Sequence, residues 1–389
     1  MNRSVRWPAG LVAVFLALLL GCANSLMAAP PDQPSVGARA WLENWRKQNP
    51  TWRALHLIGP QPQKLPLTKR LITEVLAPMG INVLILEVDY GFQYTSHPEL
   101  ECRGIDKDQA RELSDLCRQH GIRLIPLFNC LGHQSWSANT AALLKKHPEF
   151  DETPHIPPDN KGIYCREWCP SHPDVNKIVF DLLDELIGAF DADALHVGMD
   201  EVFLIGDEKC PRCKGKDVGE LFAKVVNELH QHLAREKEVE MLIWGDRLLD
   251  AAVFPYGKWE ASQTGSHRAI DRIAKDVIIC DWHYGRRDDY PSVRFFQQKR
   301  FRVLPSTWNN PEGAVALIRN ARKDATERML GALFTGWSAG GNGEYLFAGL
   351  TDQEEVLGEK ITGKRLETGK QIAATLRAGM KELTTAPEH

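Results

Sequence analysis

Short apolar runs of four to eight residues recur along the chain, and most are followed by a polar break and then an amphipathic stretch. Runs of that length, bounded by turn residues, mark strands buried on both faces. They predict strands at Ala54–Ile58, Ile81–Val88, Ile122–Phe128, Ala192–Val197, Met241–Trp244, Val277–Trp282, Phe301–Thr307 and Gly331–Thr335. Between them apolar residues return every three or four positions. That period predicts helices at Leu67–Met79, at Asp106–His120 (closed by Gly121), from Pro173 through Val175, Val179, Leu182, Leu183 and Leu186, at Val218–Glu238 and at Pro311–Arg328. Eight strands alternating with helices are the count of an α/β fold of the (β/α)8 TIM barrel type. A doubly wound open sheet is the other arrangement such a pattern allows, but no Gly-x-Gly-x-x-Gly follows the first strand.

In a parallel barrel the functional side chains gather beyond the carboxyl ends of the strands. Polar and aromatic residues recur at that position: Glu87, Asp89 and Tyr90 after the second strand, His133 and Trp136 after the third, Asp200 and Glu201 after the fourth. Trp244 and Asp246 come at the fifth, Trp282, His283 and Tyr284 at the sixth, Trp308 and Asn309 at the seventh, and Trp337 at the eighth. Other Asp-Glu pairs, at 151–152, 184–185 and 207–208, read as solvated surface. The pair at 200–201 differs because a buried strand and the small Gly198 precede it. Several tryptophans converging with carboxylates describe a pocket that stacks on sugar faces and hydrogen-bonds their hydroxyls. Asp200 and Glu201 are therefore the expected catalytic residues. Glu87, His133, Trp244, Asp246, Trp282, Tyr284, Trp308 and Trp337 are the expected substrate contacts. The longest irregular stretch, Phe150–Pro170, is proline-rich and reads as a functional loop.

Composition narrows the picture. With 389 residues, 43% hydrophobic and 25% charged, the chain can bury one barrel-sized core or two smaller ones. A net charge of −4 and no basic cluster argue against a nucleic-acid partner. Arg3 and Arg6 precede the apolar run Leu11–Leu20, too short to span a bilayer comfortably and built like a secretion signal. It ends in Leu19-Leu20-Gly21-Cys22, which is similar to a bacterial lipobox, so Cys22 is expected to carry lipid and become the mature amino terminus. An ordinary signal cut near Ala28 or Ala29 is the alternative. The expected localisation is export, with anchoring as a lipoprotein on the periplasmic or surface side of a bacterial envelope.

Eight cysteines follow Cys22. Cys210-Pro211-Arg212-Cys213 and Cys165/Cys169 have spacings that suit a small disulfide loop or a four-thiolate zinc site. Cys130 and Cys280 lie in apolar strands and read as buried thiols. No His-Glu-x-x-His or Cys-and-His cluster suggests a catalytic metal, and no cofactor is expected. The organisation expected is a signal over 1–22, a tether over 23–50, a catalytic barrel over 51–350 and a helical tail over 351–389.

Taken together, His196-Val-Gly-Met-Asp-Glu201, Leu131-Gly-His133, Leu86-Glu87 with Phe92, Tyr94 and His97-Pro-Glu-Leu100, Trp168-Cys-Pro-Ser171, Cys210-Pro-Arg-Cys213 and Trp244-Gly-Asp246 carry a family signature. Over roughly 53–337 the chain resembles glycoside hydrolase family 20, the β-N-acetylhexosaminidases, and most of all their single-barrel N-acetylglucosaminidase and hexosaminidase D-like branch. The family's strand-one Asp and Arg are replaced by Leu55-His56-Leu57-Ile58-Gly59. The Glu that usually follows the last Trp is replaced by Ser338-Ala339, with Glu344 the nearest substitute.

The resemblance implies exo-hydrolysis of terminal β-linked GlcNAc or GalNAc from a glycan. The substrate's own acetamide oxygen would be the nucleophile, with Asp200 orienting the acetamide and Glu201 acting as general acid/base. Adjacency agrees, because two carboxylates that flank a glycosidic bond normally stand about 5–9.5 Å apart on opposite sides of it. The alternatives are a surface-anchored sugar-binding protein on a catalytically impaired barrel, and a hydrolase of another class using zinc at the cysteines.

Overall fold

The computed structural model describes residues 33–337 and 343–385. The expected signal with Cys22, and Ser338-Ala339, lie outside the described residues. Eight strands form a closed parallel barrel: β1 Trp52–Ile58, β2 Val83–Glu87, β3 Arg123–Cys130, β4 Ala194–Gly198, β5 Glu240–Trp244, β6 Ile278–Trp282, β7 Arg302–Thr307 and β8 Gly331–Thr335. Each pairs with its sequence neighbour, and β1 closes the ring on β8, with Trp52 opposite Gly331 and His56 opposite Thr335.

Alternation along the strands sorts side chains between two cores. Ala54, Val83, Ile85, Ile125, Leu127, Ala194, Leu242, Ile278, Leu304 and Leu333 pack inside the barrel. Leu55, Leu84, Leu195, Ile243, Ile279, Val303 and Phe334 face outward onto the helices. The register shifts between Leu127 and Cys130 where β3 pairs with β4. Such bulges re-aim side chains, and this one lies beside Asn129, next to the site described below.

The expected helices form at Lys107–Gln119, Val175–Phe190, Val218–His230 and Pro311–Lys323. The first is N-capped by Asp106 in a capping box with Gln109. Leu65–Arg70 and Val218–His230 each continue into a wider π turn, Leu71–Leu76 and Gln231–Glu236. A helix at Pro291–Gln298 was not expected, and the β5–β6 crossover holds the short turns Asp246–Leu248, Gly257–Glu260 and Ser266–Ala269.

Two expected boundaries are corrected. Within the expected tether, Val36–Gln48 is a helix, N-capped by Ser35, whose Leu42 and Trp45 join the barrel interior from its amino-terminal end. The expected tail contains helix Lys364–Thr384, which buries Ile372, Ala373, Leu376 and Met380. A Cβ at its Gly379 would stand 2.3 Å from the Phe334 ring of β8. It is the outer helix of the last βα unit, and its polar sequence concealed this because one face meets solvent.

Below the interior core, Arg123 is buried and donates to Asp193 Oδ1 (2.6 Å) and Glu240 Oε2 (2.7 Å). Arg302 and Arg46 also pair with Glu240, at 2.6 and 2.9 Å. The Arg123 guanidinium lies over the Trp45 and Trp52 rings. This end of the barrel is thus plugged, with its charges mutually paired.

Candidate active site

At the carboxyl ends of the strands a cavity of about 610 Å³ is lined by Glu87, Asp89, Asn129, His133, Trp136, Tyr164, Asp200, Glu201, Trp244, Trp282, Tyr284, Trp308 and Trp337, among others. Both expected catalytic residues and every expected substrate contact except Asp246 line it. That carboxylate is buried behind the wall, accepting from the backbone N–H of Glu201 (2.9 Å), from Trp282 Nε1 (3.1 Å) and from Arg247 Nε (2.6 Å). Burial pushes its carboxyl up to about 6 against the opposing charge of Arg247. Asp246 thus holds the Glu201 backbone and the Trp282 ring and does not line the cavity. Glu344 pairs with Lys64 and does not line the cavity, so it does not replace the family's missing Glu.

The dyad's backbone explains its geometry. Gly198 has φ +65°, and a Cβ there would lie 2.4 Å from Asn129 Oδ1. Met199 (φ +76°) and Glu201 (φ +51°) follow in the same left-handed region, as do Leu131 (+66°), His133 (+55°) and Asp89 (+44°) on the neighbouring turns. Non-glycine residues held there cost on the order of 1–3 kcal/mol each and persist only where the surroundings over-determine them. Here the strain turns Asp200 and Glu201 toward one side chain: His133 Nε2 lies 3.3 Å from Asp200 Oδ2 and 3.4 Å from Glu201 Oε2. Burial alone would lower the pKa of His133, but the charge of Asp200 and its contacts with both carboxylates outweigh that and raise it well above 6.5. Burial would likewise raise Asp200, and the His133 charge instead holds it below the usual carboxylate range. Asp200 Oδ1 has no hydrogen-bond partner in the protein.

Across the cavity, Glu87 Oε2 meets His56 Nε2 at 3.1 Å, and its Oε1 accepts from Asn129 Nδ2 at 3.2 Å. Asp89 accepts from the Asn129 backbone N–H (2.6 Å) and from Nδ2 (2.9 Å). Enclosure and the neighbouring Glu87 charge push its carboxyl up to about 7. His56, in the place of the family's strand-one pair, is fully buried against Trp337, with ring centroids 4.1 Å apart.

The aromatic wall is continuous. Trp282 stands against Tyr284 (5.0 Å), Tyr284 against Trp308 (5.5 Å), and Trp337 Nε1 donates to the Tyr284 hydroxyl (2.7 Å). Trp244 forms the floor with His196, 4.5 Å away, and its Nε1 has no partner in the protein. Burial lowers His196 to about 3, so it is neutral, and its Nδ1 accepts from the Gly198 N–H.

Tyr164, Asn129 and Arg166 were not legible as site residues. Tyr164 comes from the proline-rich loop, lines the cavity beside Glu201 and stands edge-on to His133, with ring centroids 6.0 Å apart. Arg166, buried, holds that loop by donating to Asn160 Oδ1 (2.5 Å), Ile156 O (2.9 Å) and Pro157 O (2.7 Å), and by pairing with Asp151. Only the loop's length signalled a role, because no motif marks a tyrosine that will line a cavity with a carboxylate 37 residues later. Tyr90, one of the residues expected at the mouth, instead donates its hydroxyl to Gln134 Oε1 at 2.7 Å and is absent from the lining.

Fold and site define a class: a (β/α)8 barrel with carboxylates set against an aromatic wall at the strands' carboxyl ends, suited to holding a sugar ring by its face. Residues 93–338 match the glycosyl hydrolase family 20 catalytic domain, and the chain belongs to that family. It is 25% identical over 217 residues to a beta-hexosaminidase of Vibrio furnissii, covering 54% of this chain and 31% of that one. It is 32% identical over 113 residues to a beta-hexosaminidase of Akkermansia muciniphila, covering 28% and 21%. The match thus spans a third or less of these curated relatives. Among solved structures the chain is similar in fold to a β-N-acetylhexosaminidase from Bacteroides fragilis, with TM-score 0.56, 15% identity, and 84% of this chain and 66% of that one covered. It is also similar to an exo β-N-acetylglucosaminidase from Vibrio harveyi in complex with N-acetylglucosamine, with TM-score 0.57, 16% identity and coverage of 84% and 54%.

Proposed function

We propose that this protein is an exo-acting β-N-acetylhexosaminidase that releases terminal β-linked GlcNAc or GalNAc with retention, using the substrate's acetamide as nucleophile. Adjacency carries the reading: Asp200 and Glu201 approach the same His133 nitrogen, within 3.4 Å, so they sit on one side of the cavity. A protein nucleophile would have to stand opposite the acid, roughly 5–5.5 Å from it. The carboxylates across the cavity, Glu87 and Asp89, are already engaged by His56 and Asn129. The acetamide carbonyl oxygen then attacks the anomeric carbon while Glu201 gives its proton to the departing oxygen. Asp200 Oδ1, free of protein partners, accepts the acetamide N–H and offsets the charge of the oxazolinium. Water, deprotonated by Glu201, opens the ring and restores the acid.

The test is hydrolysis of aryl β-GlcNAc, β-GalNAc and β-glucoside by the purified protein. The glucoside lacks the acetamide and should react far more slowly. A covalent sugar ester trapped on any carboxylate during turnover would overturn the mechanism, and binding without turnover of any substrate would favour the sugar-binding alternative. Leu19-Leu20-Gly21-Cys22 supports export and lipid anchoring at Cys22 as part of the same proposal. Cys22→Ala should move the protein out of the membrane fraction, and unchanged membrane association would reject that part.

A further inference from the structure

Behind the dyad, the proline-rich loop and the loop after β4 meet around four buried side chains: Glu152, Cys169, Cys210 and Cys213. One ligand atom from each lies within 4.8 Å of the others. Cys169 Sγ is 3.6 Å from Cys210 Sγ and 3.4 Å from Cys213 Sγ. Cys165, which the spacing offered as a partner for Cys169, turns away instead, with its Sγ 4.0 Å from the Glu201 carbonyl oxygen. The fourth corner belongs to Glu152, 17 positions before Cys169, which no cysteine motif includes; the Asp151-Glu152 pair, read from sequence as solvated surface, is buried.

We propose that Glu152, Cys169, Cys210 and Cys213 form a structural zinc site. Tetrahedral zinc with Zn–S bonds of about 2.3 Å places its sulfurs about 3.8 Å apart, so these thiols need to open by only a few tenths of an ångström. A disulfide would need a sulfur pair at about 2.05 Å, and whichever pair formed would leave the third sulfur buried beside a carboxylate. Glu152 adds a second, independent indication. Its Oε1 accepts from the backbone N–H groups of Gly206 (2.9 Å) and Asp207 (3.2 Å). Its Oε2 is buried and has no hydrogen-bond partner, although the residue is fully inaccessible. A carboxylate oxygen enclosed among three sulfurs is costly without a cation, and a zinc ion supplies one. On binding, the three thiols release three protons, and the ion takes three thiolates and one carboxylate.

The site lies outside the cavity lining, so the zinc touches no substrate. It joins the two loops that place Tyr164 and Glu201, which are also tied by Glu167 Oε1 accepting from Phe203 N (2.5 Å) and Leu204 N (2.6 Å). The inference is independent of which sugar the cavity holds.

The experiment is elemental analysis of the full-length protein, purified without chelator and dialysed against metal-free buffer, together with cobalt substitution. About one zinc per chain is expected, and cobalt should give the intense thiolate charge-transfer and visible bands of a tetrahedral sulfur-rich site. Cys210→Ser should lose the metal, and Glu152→Ala should weaken it at least tenfold and shift the cobalt bands. Zinc-free wild type overturns the proposal, whether its cysteines then titrate as free thiols or its mass shows a disulfide. Because the wild-type measurement decides alone, failure of a variant to fold does not leave the question open.

Discussion

The two ends of the barrel use the same residue types for opposite purposes. At the amino-terminal end, Arg123, Asp193, Glu240, Arg302 and Arg46 pair their charges with one another, roofed by Trp45 and Trp52, with Arg123 Nη1 left without a hydrogen-bond partner. Glu240 is held far below the usual carboxylate range: burial would raise it, and Arg123, Arg302 and Arg46 together overcome that. At the carboxyl end the carboxylates outnumber their cations, and both Asp200 Oδ1 and Trp244 Nε1, on residues that line the cavity, are left without a protein partner. Unsatisfied polar atoms cost free energy, and Asp200 and Trp244 line an open cavity where a ligand can complete theirs. One end stores stability, and the other is kept incomplete for function.

Substitutions at the two ends should therefore separate activity from stability. The largest effect belongs to the dyad. Glu201→Gln should slow hydrolysis of substrates with poor leaving groups by about 10²–10⁴-fold while sparing good ones, since that is the usual contribution of a positioned proton donor. Asp200→Asn should slow all leaving groups alike. Steady-state kinetics on a leaving-group series checks both, and equal losses in the two variants would remove the assigned division of roles.

Next, Arg123→Met should leave Asp193 buried without its cation and Glu240 with only Arg302 and Arg46, and destabilise the fold by roughly 3–5 kcal/mol. Denaturant unfolding should register this while kcat/KM of the folded protein stays near wild type. Lost activity at unchanged stability would erase the contrast between the ends.

A third prediction concerns pH. Because the pKa of His133 is raised in the fold, its contribution to stability is complete below the unfolded value of about 6.5 and is lost as pH rises through the folded value. Asp200 is the mirror case: its contribution is present above about 3.9 and is lost as pH falls through its lowered pKa. His133→Gln should flatten the alkaline limb of a Tm-against-pH series, and an unchanged limb would show that His133 is not charged in the fold.

The smallest effect is expected at the rim. Trp136 is 62% exposed, lines the cavity and packs on Tyr164 at 5.7 Å. Trp136→Ala should raise KM several-fold for a disaccharide that reaches past the first sugar, consistent with about 0.5–1.5 kcal/mol of aromatic contact. KM for the aryl glycoside should barely change, and equal changes for both would place Trp136 at the first sugar instead.

What was legible in the sequence follows from local physics. Each barrel strand is buried on both faces, so its apolar run is nearly uninterrupted, and all eight were placed within a few residues of their observed positions. The dyad was legible because its strand ends abruptly at Gly198. Helix Lys364–Thr384 read as a tail because a half-exposed helix carries many charges, and only its packing on β8 makes it part of the barrel. Helix Val36–Gln48 was hidden for a related reason: its Leu42 and Trp45 bury only because the barrel has an end to plug.

The chain by itself thus determined the fold, the strand ends and the residue types gathered there, since periodicity and burial are properties of neighbouring positions. Tertiary structure alone decided which of those residues face a ligand. It moved Asp246 behind the wall, turned Cys165 away from Cys169 and set Glu152 among three sulfurs. It also brought Tyr164 into the cavity that Glu201 lines. These are contacts between loops far apart in sequence, fixed by the closure of the barrel and by side-chain direction, and no local pattern encodes them.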